Sequence, residues 1–572
     1  MTESAGFERL RQRRLRYVES ARENDFEEGL KSLLSELYPD NAHFIYELLQ
    51  NAEDAGAATI EFTLTTDHLT VTHDGERPFS LSDIEAITGI GKSTKKDDPT
   101  LIGKFGVGFK AVFAYTTRPE IRSGEHSFAI TDLFVPEGIP GAARRGVTTF
   151  AFPFDRHDKP PTAACAEVER GLTQLDEKTL LFLNNISTIT YELPDGTVGI
   201  VERQEVNESV VRIRKAEGDD FVESRWLRLT GPSSVLHQGS APLTVAAAFR
   251  MELVDGVRPN RINQGVESGD GVARHSIVPI SEGDVSIYFP AVKESSGLRF
   301  HIHAPFASTV ARDSVRDDPG NVQLIDDIAS IIVSAFAQLR DQGLISDSFL
   351  ATLPNDDDQI GHPYNRIRDA ITEAFNERDI TPVWGNARAY AAARSLVSSP
   401  SEFRNWLDPS DLPILFDLGE ITVEETPRWI RDRDGRAGKF LAGLDTIEFG
   451  WSELGHCLES VCDPWDLECG FSETWTTWLE TKSDARISDL YELLGRGLAT
   501  HQLRVSDMPS VPLIRLRRRG TREHVKGPDT YLPSGRSDTV QSRVPVELAY
   551  FEDDEDQARA NNLRFSSALC GS

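Results

Sequence analysis

Cysteine is scarce in this chain, with five residues among 572, and long hydrophobic runs are missing. A small and odd number of cysteines cannot build the disulfide framework of a small secreted domain. The longest apolar stretch, 328–339, is interrupted by Ser330, Ser334 and Gln338. It is shorter than the roughly 20 residues that span a bilayer. The N-terminal run 7–14 has no apolar core, so no signal peptide is predicted. We therefore expect a cytoplasmic protein with no membrane association.

Positive charge is also in deficit. The chain has 61 lysines and arginines against 91 aspartates and glutamates, which gives a formal net charge of -30. The summed field of such a chain repels polyanions, so nucleic acid is disfavoured as a partner. Short basic runs remain at 9–16 and 515–522, and we interpret them as solvated surface.

What is present is the composition of a globular protein, with 39% hydrophobic and 27% charged residues. The length exceeds what one hydrophobic core organises, so about two to four domains are expected. Helical periodicity and strand alternation predict an α+β fold in three regions. These are an α/β sandwich over 1–195, an α/β middle region over 196–345 and a mainly helical region over 346–572.

The first motif lies on a helix predicted from about residue 41 to residue 55. Its apolar residues share one face, and Glu47, Asn51 and Asp54 share the other, because residues three or four apart are neighbours on a helix. A carboxylate and an amide stacked in this way can act together at a phosphate group. Glu47 would orient or deprotonate a water molecule, and the Asn51 carbonyl would bind Mg²⁺, which prefers oxygen ligands. The alternative is a solvated polar face.

The second motif is Asp74-Gly75, which follows a predicted strand over 69–72. A buried aspartate at the end of a strand can accept a hydrogen bond from an adenine amino group. The alternative is a simple Asp-Gly turn.

The third motif is glycine-rich, with Gly103, Gly106 and Gly108 before a helix predicted to begin at Phe109. Glycines let backbone N–H groups approach phosphate closely, and a helix N-terminus adds positive potential. The run 89–94 lacks the first glycine of a Walker A loop. Lys92, in that run, is instead a candidate for a cap over the nucleotide.

The sequence resembles the GHKL ATPases in the order of its three motifs, which are Glu-x-x-x-Asn, Asp-Gly and Gly-x-x-Gly-x-Gly. Among these ATPases it is most similar to the heat-shock chaperones and their sacsin-type relatives. The resemblance covers 35–155 and is weaker as far as residue 345. It implies a Bergerat-fold ATP-binding domain with Mg²⁺. One departure is the short block after Asp74, which lacks the chaperone spacing Asp-x-Gly-x-Gly; sacsin-like proteins share this shorter form.

Site roles follow from the resemblance. It implies that Glu47 is the general base, that Asn51 is the magnesium ligand with Asp54 behind it, and that Asp74 reads adenine beside Gly75. The residues expected to hold the phosphates or to back the adenine are Gly103, Gly106, Val107, Gly108, Phe109, Thr148 and Thr149.

The middle region holds a candidate cation. GHKL ATPases with such a domain often send a basic residue from it to the γ-phosphate, and Arg312 and Arg316 follow the strand that contains His301 and His303. The alternative is a surface ion pair with a neighbouring aspartate, Asp313 or Asp317.

The resemblance thus implies a slow magnesium-dependent ATP hydrolase whose nucleotide state drives a conformational or assembly change. It also implies a homodimer that forms on ATP binding, and a protein client or partner subunit. A role in bacterial stress or antiviral defence is a further hypothesis. Two alternatives stay open: a nucleic-acid-processing ATPase like MutL or a topoisomerase subunit, and a scaffold that senses nucleotide without hydrolysing it.

Overall fold

A computed structural model describes residues 3–23, 44–89, 108–235, 243–254, 275–309, 313–386, 388–423, 425–461, 473–503, 511–518 and 521–526. The chain divides into two compact units. The first comprises Met1–Ile371 and Asp434–Gly443, and the second comprises Thr372–Arg433 and Leu444–Ser572. The fold is α+β, as predicted, and a large mixed sheet dominates the first unit.

That sheet has 15 strands among the described residues. They are β1 (Thr59–Leu64), β2 (His68–His73), β3 (Glu120–Ser123), β4 (His126–Thr131), β5 (Val135–Gly138), β6 (Thr148–Pro153), β7 (Thr188–Glu192), β8 (Val198–Glu205), β9 (Val210–Glu217), β10 (Asp220–Pro232), β11 (Thr244–Leu253), β12 (His275–Val278), β13 (Asp284–Ile287), β14 (Phe289–Ser295) and β15 (His301–His303). The strand order is β14-β13-β15-β11-β10-β9-β8-β7-β1-β2-β6-β3-β4-β5, and β12 pairs with β11.

The first unit also contains α-helices. They are α1 (Glu3–Glu23), α2 (Phe44–Asp54), α3 (Leu81–Ile87), α4 (Pro161–Thr173), α5 (Glu177–Leu181), α6 (Pro319–Asp341) and α7 (Asp347–Thr352). The apolar face of α2 joins the main core, where the Phe44 ring lies 6.3 Å from the Phe152 ring of β6. Burial of this face against β6 positions the polar face of the same helix.

The helix predicted from Phe109 to Tyr115 is a 3₁₀ helix over Gly108–Ala114. Phe109, Val112 and Phe113 are buried, and the Phe109 ring packs 6.0 Å from that of Phe150. Phe109 and Val112 are three residues apart, which places both on the same face of a 3₁₀ helix with three residues per turn. The prediction that an α-helix N-terminus adds positive potential at Phe109 is therefore wrong, because the helix here is a seven-residue 3₁₀ helix with poorer hydrogen-bond geometry.

The sheet crosses the predicted boundary between residues 195 and 196. β7 lies before that boundary and β8 after it, and the two strands pair in an antiparallel register from Thr188↔Glu202 to Glu192↔Val198. The predicted sandwich and middle regions thus share one sheet, and the three-region division stays a prediction.

Helix α6 is long and apolar enough, by length and composition, to cross a membrane, and it is the one such helix in the described part of the chain. The apolar stretch 328–339 noted in the sequence lies within this longer helix. Its buried residues include Leu324, Ile328, Ile332 and Phe336. The Asp327 carboxylate accepts hydrogen bonds from the serines that follow β10. The amphipathic pattern of α6 matches a helix that covers one face of a sheet.

Helix α8 (Asn365–Glu377) spans the division between the units, and α11 (Gly435–Ala442) belongs to the first. The second unit contains α9 (Ser401–Trp406), α10 (Leu412–Leu418), α12 (Trp451–Ser460), α13 (Glu473–Thr481) and α14 (Asp484–Ala499). Its strands are short: β16 (Thr381–Pro382), β17 (Tyr390–Ala391), β18 (Leu396–Ser398), β19 (Arg428–Trp429), β20 (Ile447–Glu448), β21 (Ile514–Arg518) and β22 (Thr521–Val525). Trp475 and Trp478 are buried in its core.

Candidate functional site

The polar face of α2 carries three side chains that have no hydrogen-bond or ion-pair partner within the described residues. Glu47 and Gln50 are buried, and Asn51 is half-buried. The Gln50 Oε1 atom is fully enclosed and still lacks a partner there. Buried polar groups are normally hydrogen-bonded, so such a cluster calls for an explanation. Glu47 and Asn51 were predicted from the sequence, whereas Gln50 was not, although its position three residues after Glu47 was an available signal.

Glu53, on the same helix, is buried and fully engaged. Its carboxylate accepts backbone N–H groups from Asn184, Asn185 and Ile186 at 2.8, 2.9 and 2.9 Å. Charge-assisted hydrogen bonds of this kind compensate the burial of a carboxylate. Glu53 therefore fixes the end of α2 to the segment before β7, and this contrasts with Glu47. Asp54, the predicted residue behind the magnesium ligand, is half-buried next to it.

Asp74 is exposed, so the expectation of a buried carboxylate is wrong. The chain leaves β2 just before Asp74, and Oδ1 turns back to accept N–H groups from Ala58 and Thr59, both at 2.8 Å. Partial burial raises the pKa of this carboxyl, but the hydrogen bonds from Thr59 and Ala58 outweigh it and lower the pKa below its usual value. Asp74 is therefore ionised at neutral pH, and its Oδ2 is not used in these two bonds.

His73, which the sequence analysis did not single out, is the buried residue at this turn. Its Nδ1 accepts the backbone N–H of Gly75 at 3.1 Å. Burial lowers the pKa of His73 to about 4, against an opposing effect of the Asp74 charge. The imidazole is therefore neutral at pH 7, and because Nδ1 accepts, the proton is assigned to Nε2. The available signal in the sequence was the alternation of Leu69 and Val71, which places His73 on the same face of the strand.

Gly75 brings the second motif against the first. A Cβ atom at this position would lie 2.7 Å from the Ala55 Cβ and 2.9 Å from the His73 Nδ1. The Arg77 N–H also donates to the carbonyl oxygen of Ala55 at 3.2 Å. Only glycine lets the turn after β2 approach the C-terminal end of α2 so closely. The structure thus brings together two motifs that are some twenty residues apart in the chain.

Thr148 and Thr149 lie opposite the end of β2, paired in register with His73 and Thr72 respectively. Thr148 is buried, and its Oγ1 lies 2.6 Å from the Oγ of Ser123, which also accepts the Phe79 N–H. Thr149 is half-buried on the opposite face of the sheet. Of the two predicted threonines, Thr148 shares a face with His73.

The remaining predicted residues have mixed outcomes. Lys92, Gly103, Gly106, Val107 and Arg312 lie outside the described residues. Gly108 begins the 3₁₀ helix, and Phe109 is buried in the core next to it.

Arg316 is exposed in the segment between β15 and α6. Its backbone N–H donates to the Ala307 carbonyl oxygen at 2.9 Å. In the described segments, no ion pair forms between Arg316 and Asp313; that aspartate contacts Lys293 and Thr309 instead. The guanidinium is therefore available to a ligand, and its predicted role stays a prediction.

No group of three or more His, Cys, Asp or Glu side chains with metal-binding geometry occurs in the described residues. A Mg²⁺ ion at Asn51 would accordingly take most of its ligands from phosphate oxygens and water, which is how proteins usually hold this ion.

Comparisons with known proteins agree with the sacsin-type resemblance. Residues 70–137, which include the His73–Gly75 turn, match the Sacsin domain family. The chain is 26% identical to Protein NO VEIN of Arabidopsis thaliana over 339 residues, which is 54% of this chain and 12% of that protein. It is 37% identical to human Sacsin over 112 residues, which is 17% of this chain and 2% of that protein. The chain thus spans a small part of these relatives, and the matches support a sacsin-like relationship.

Proposed function

We propose that the first unit binds ATP with Mg²⁺ in a site of the Bergerat type, between α2 and the turn that follows β2. The observation that carries this proposal is the set of buried or half-buried polar side chains on α2, Glu47, Gln50 and Asn51, without partners among the described residues. A structural polar face would be either solvated or internally paired. A polar ligand beside α2 would supply the missing partners.

The residues present suit such a ligand. The Asn51 carbonyl is an oxygen donor one helical turn from the Glu47 carboxylate, and Gly75 keeps the neighbouring turn close to α2. Bound Mg²⁺ would neutralise phosphate charge and polarise the terminal phosphoryl group. Asn51 would hold the ion, and the threonine hydroxyl of Thr148, with Ser123, would back the base.

Hydrolysis would depend on Glu47. Its carboxylate is not neutralised by an ion pair within the described residues, so it can orient a water molecule and accept its proton. Glu53 holds the end of α2 through the segment 184–186, which keeps the base in position. A Glu47 carboxylate held in position beside the phosphates would support ATP hydrolysis, which the resemblance implies to be slow.

Coupling to a conformational change is supported by one contact. Tyr46 lies beside Glu47 on α2, and its ring centroid is 5.1 Å from that of Phe289 in β14. A shift of α2 on nucleotide binding would therefore reach the second half of the sheet directly. Through this route the protein would act as a nucleotide-driven switch. A homodimer, a client or partner subunit, and a role in stress response or antiviral defence stay hypotheses that this contact does not test.

The test is equilibrium binding of Mg-ATP to the whole chain, with Asn51→Leu as the matched variant of similar volume. A ligand that binds only the folded state stabilises it by about 2.7 kcal/mol at 100 times its Kd. We expect a clear rise in melting temperature for the wild type, and in Asn51→Leu a smaller rise that no longer depends on Mg²⁺. Absence of binding in the wild type would refute the proposal.

Binding without measurable turnover would instead favour the nucleotide-sensing scaffold. Stimulation of turnover by DNA would favour a nucleic-acid-processing ATPase, against the expectation from the net charge of -30.

A further inference from the structure

We propose that His73 is the base-reading residue of this site: its Nε2–H donates a hydrogen bond to N1 of the adenine ring and so selects adenine over guanine nucleotides. The inference rests on the proposed ATP site. It concerns the identity of the base, which neither the resemblance nor the comparisons assign to His73.

The first step is the direction of the side chain. Residues in a strand alternate between faces, and in β2 the buried positions are Leu69, Val71 and His73. His73 pairs in register with Thr148, which is buried on the same face, and its ring lies 6.1 Å from that of Phe150. This is the face whose core includes α2. Asp74, one residue later, is exposed instead.

The second step is the hydrogen-bonding state of the ring. Nδ1 is used by the Gly75 N–H, so its lone pair is occupied and the proton lies on Nε2. Within the described residues, Nε2 has no hydrogen-bond partner, although the side chain is only 4% exposed. A donor that the described residues leave without a partner can bond to a ligand acceptor, and this would contribute one net hydrogen bond. The low pKa of His73 supports this state, because the neutral ring keeps Nδ1 free to accept.

The third step is the chemistry of the two purines. Adenine presents an acceptor at N1 beside a donor amino group, whereas guanine presents an N1–H donor beside a carbonyl oxygen. The Nε2–H of His73 matches the adenine N1 and opposes the guanine N1–H. Oδ2 of Asp74 is not used by the N–H groups of Ala58 and Thr59 and would accept the adenine amino group, so the adjacent residues offer a donor and an acceptor. A site built from fixed polar groups discriminates strongly against a base that leaves them unpaired.

The decisive experiment uses wild-type protein and measures Kd for Mg-ATP, for its 1-deaza analogue, which replaces N1 by C–H, and for GTP. Loss of one net hydrogen bond predicts roughly 3- to 10-fold weaker binding of the 1-deaza analogue. We expect GTP to bind more weakly still, because its N1–H donor would face the Nε2–H donor of His73. Equal Kd values for ATP and the 1-deaza analogue would overturn the role of His73 and leave the ATP site standing. Failure to bind either compound would overturn both proposals.

Two matched variants locate the effect at His73. In His73→Asn the side-chain oxygen can still accept the Gly75 N–H, but the outer donor is lost. In His73→Gln the amide can place a donor near the position of Nε2. We expect His73→Asn to bind ATP and 1-deaza-ATP equally and His73→Gln to retain a preference for ATP. Melting temperatures without nucleotide show whether each variant is folded. If folded His73→Asn keeps the wild-type preference, the assignment is wrong.

Discussion

Two helical regions of this protein differ in whether their buried polar side chains have hydrogen-bond partners among the described residues. In the second unit, the Lys482 ammonium group and the Trp478 Nε1–H both donate to Asp411 Oδ1, at 2.5 and 2.9 Å, in the interior. Nearby, buried Arg515 donates to Asp484 at 2.7 Å. In the first unit, Glu47 and Gln50 of α2 have no such partners among the described residues. The difference separates a network that serves folding from a cluster whose partners would come from a ligand.

The largest expected effect lies on α2. Removing a positioned general base typically lowers a rate by ~10²–10⁴. We expect Glu47→Ala to lose turnover by that factor in a steady-state phosphate-release assay, with nucleotide affinity and unfolding free energy nearly unchanged. The isosteric Glu47→Gln is the control for volume. Wild-type turnover in both variants would show that the base lies elsewhere, and a large loss of stability would show that Glu47 is a folding residue like Lys482.

The opposite result is expected for Lys482→Met in the second unit. Removing one partner of a buried ion pair leaves an uncompensated charge on Asp411 and costs roughly 3–5 kcal/mol. Seven of the eight tryptophans lie in the ranges of this unit, so denaturant unfolding followed by tryptophan fluorescence reports on it.

The matched control for Lys482→Met is Arg394→Met. Arg394 forms exposed ion pairs with Glu373, Asp445 and Glu377 at 3.0, 3.2 and 3.4 Å. Because all four side chains are solvent-exposed, we expect Arg394→Met to cost less than about 1 kcal/mol of unfolding free energy. Equal costs for the two variants would contradict the structural interpretation of the Lys482 network.

Asp74→Asn tests whether the proposed nucleotide site of the first unit uses this carboxylate to bind adenine. The carboxylate has a second oxygen after Oδ1 has accepted two backbone N–H groups, whereas asparagine would have to present its NH₂ group there. A donor would then face the adenine amino group, and an unpaired polar group costs about 1–3 kcal/mol. We expect the rise in melting temperature caused by Mg-ATP to be much smaller in Asp74→Asn than in the wild type. Equal rises would exclude Asp74 from adenine recognition.

The smallest effect is expected at Arg316, because an exposed guanidinium acts through solvent-screened electrostatics. We expect Arg316→Ala to lower turnover roughly tenfold or less with little change in Kd, since the cation would act on charge that develops during transfer. Arg312→Ala, measured in parallel, is the matched variant for the other candidate. Unchanged turnover in both would mean that neither cation takes part in the reaction.

Local sequence patterns were sufficient to predict α2 and β2, the two elements that hold the candidate site. The alternation over 69–72 predicted strand β2, and the apolar spacing of α2 predicted which of its faces joins the hydrophobic core. Both signals arise within a dozen residues. Side-chain direction could not be obtained in the same way at Asp74, because it depends on where the chain leaves β2 and on the N–H groups of Ala58 and Thr59.

Long-range features were beyond the sequence. The pairing of Glu53 with 184–186 joins residues more than a hundred positions apart, and no local periodicity encodes it. The same holds for the inclusion of α11 in the first unit. Helical periodicity and strand alternation suggested a boundary near residue 195, whereas backbone pairing of β7 with β8 depends on two strands that meet in space.

That pairing has a practical consequence for work with fragments. A fragment ending near residue 195 would keep β7 but lose β8, so the N–H and C=O groups of Thr188–Glu192 that bond to β8 would be open along an edge. Exposed edges recruit strands from other copies of a chain. Self-association of such a fragment would therefore report an unprotected strand, and it could not be taken as evidence for the proposed nucleotide-dependent homodimer.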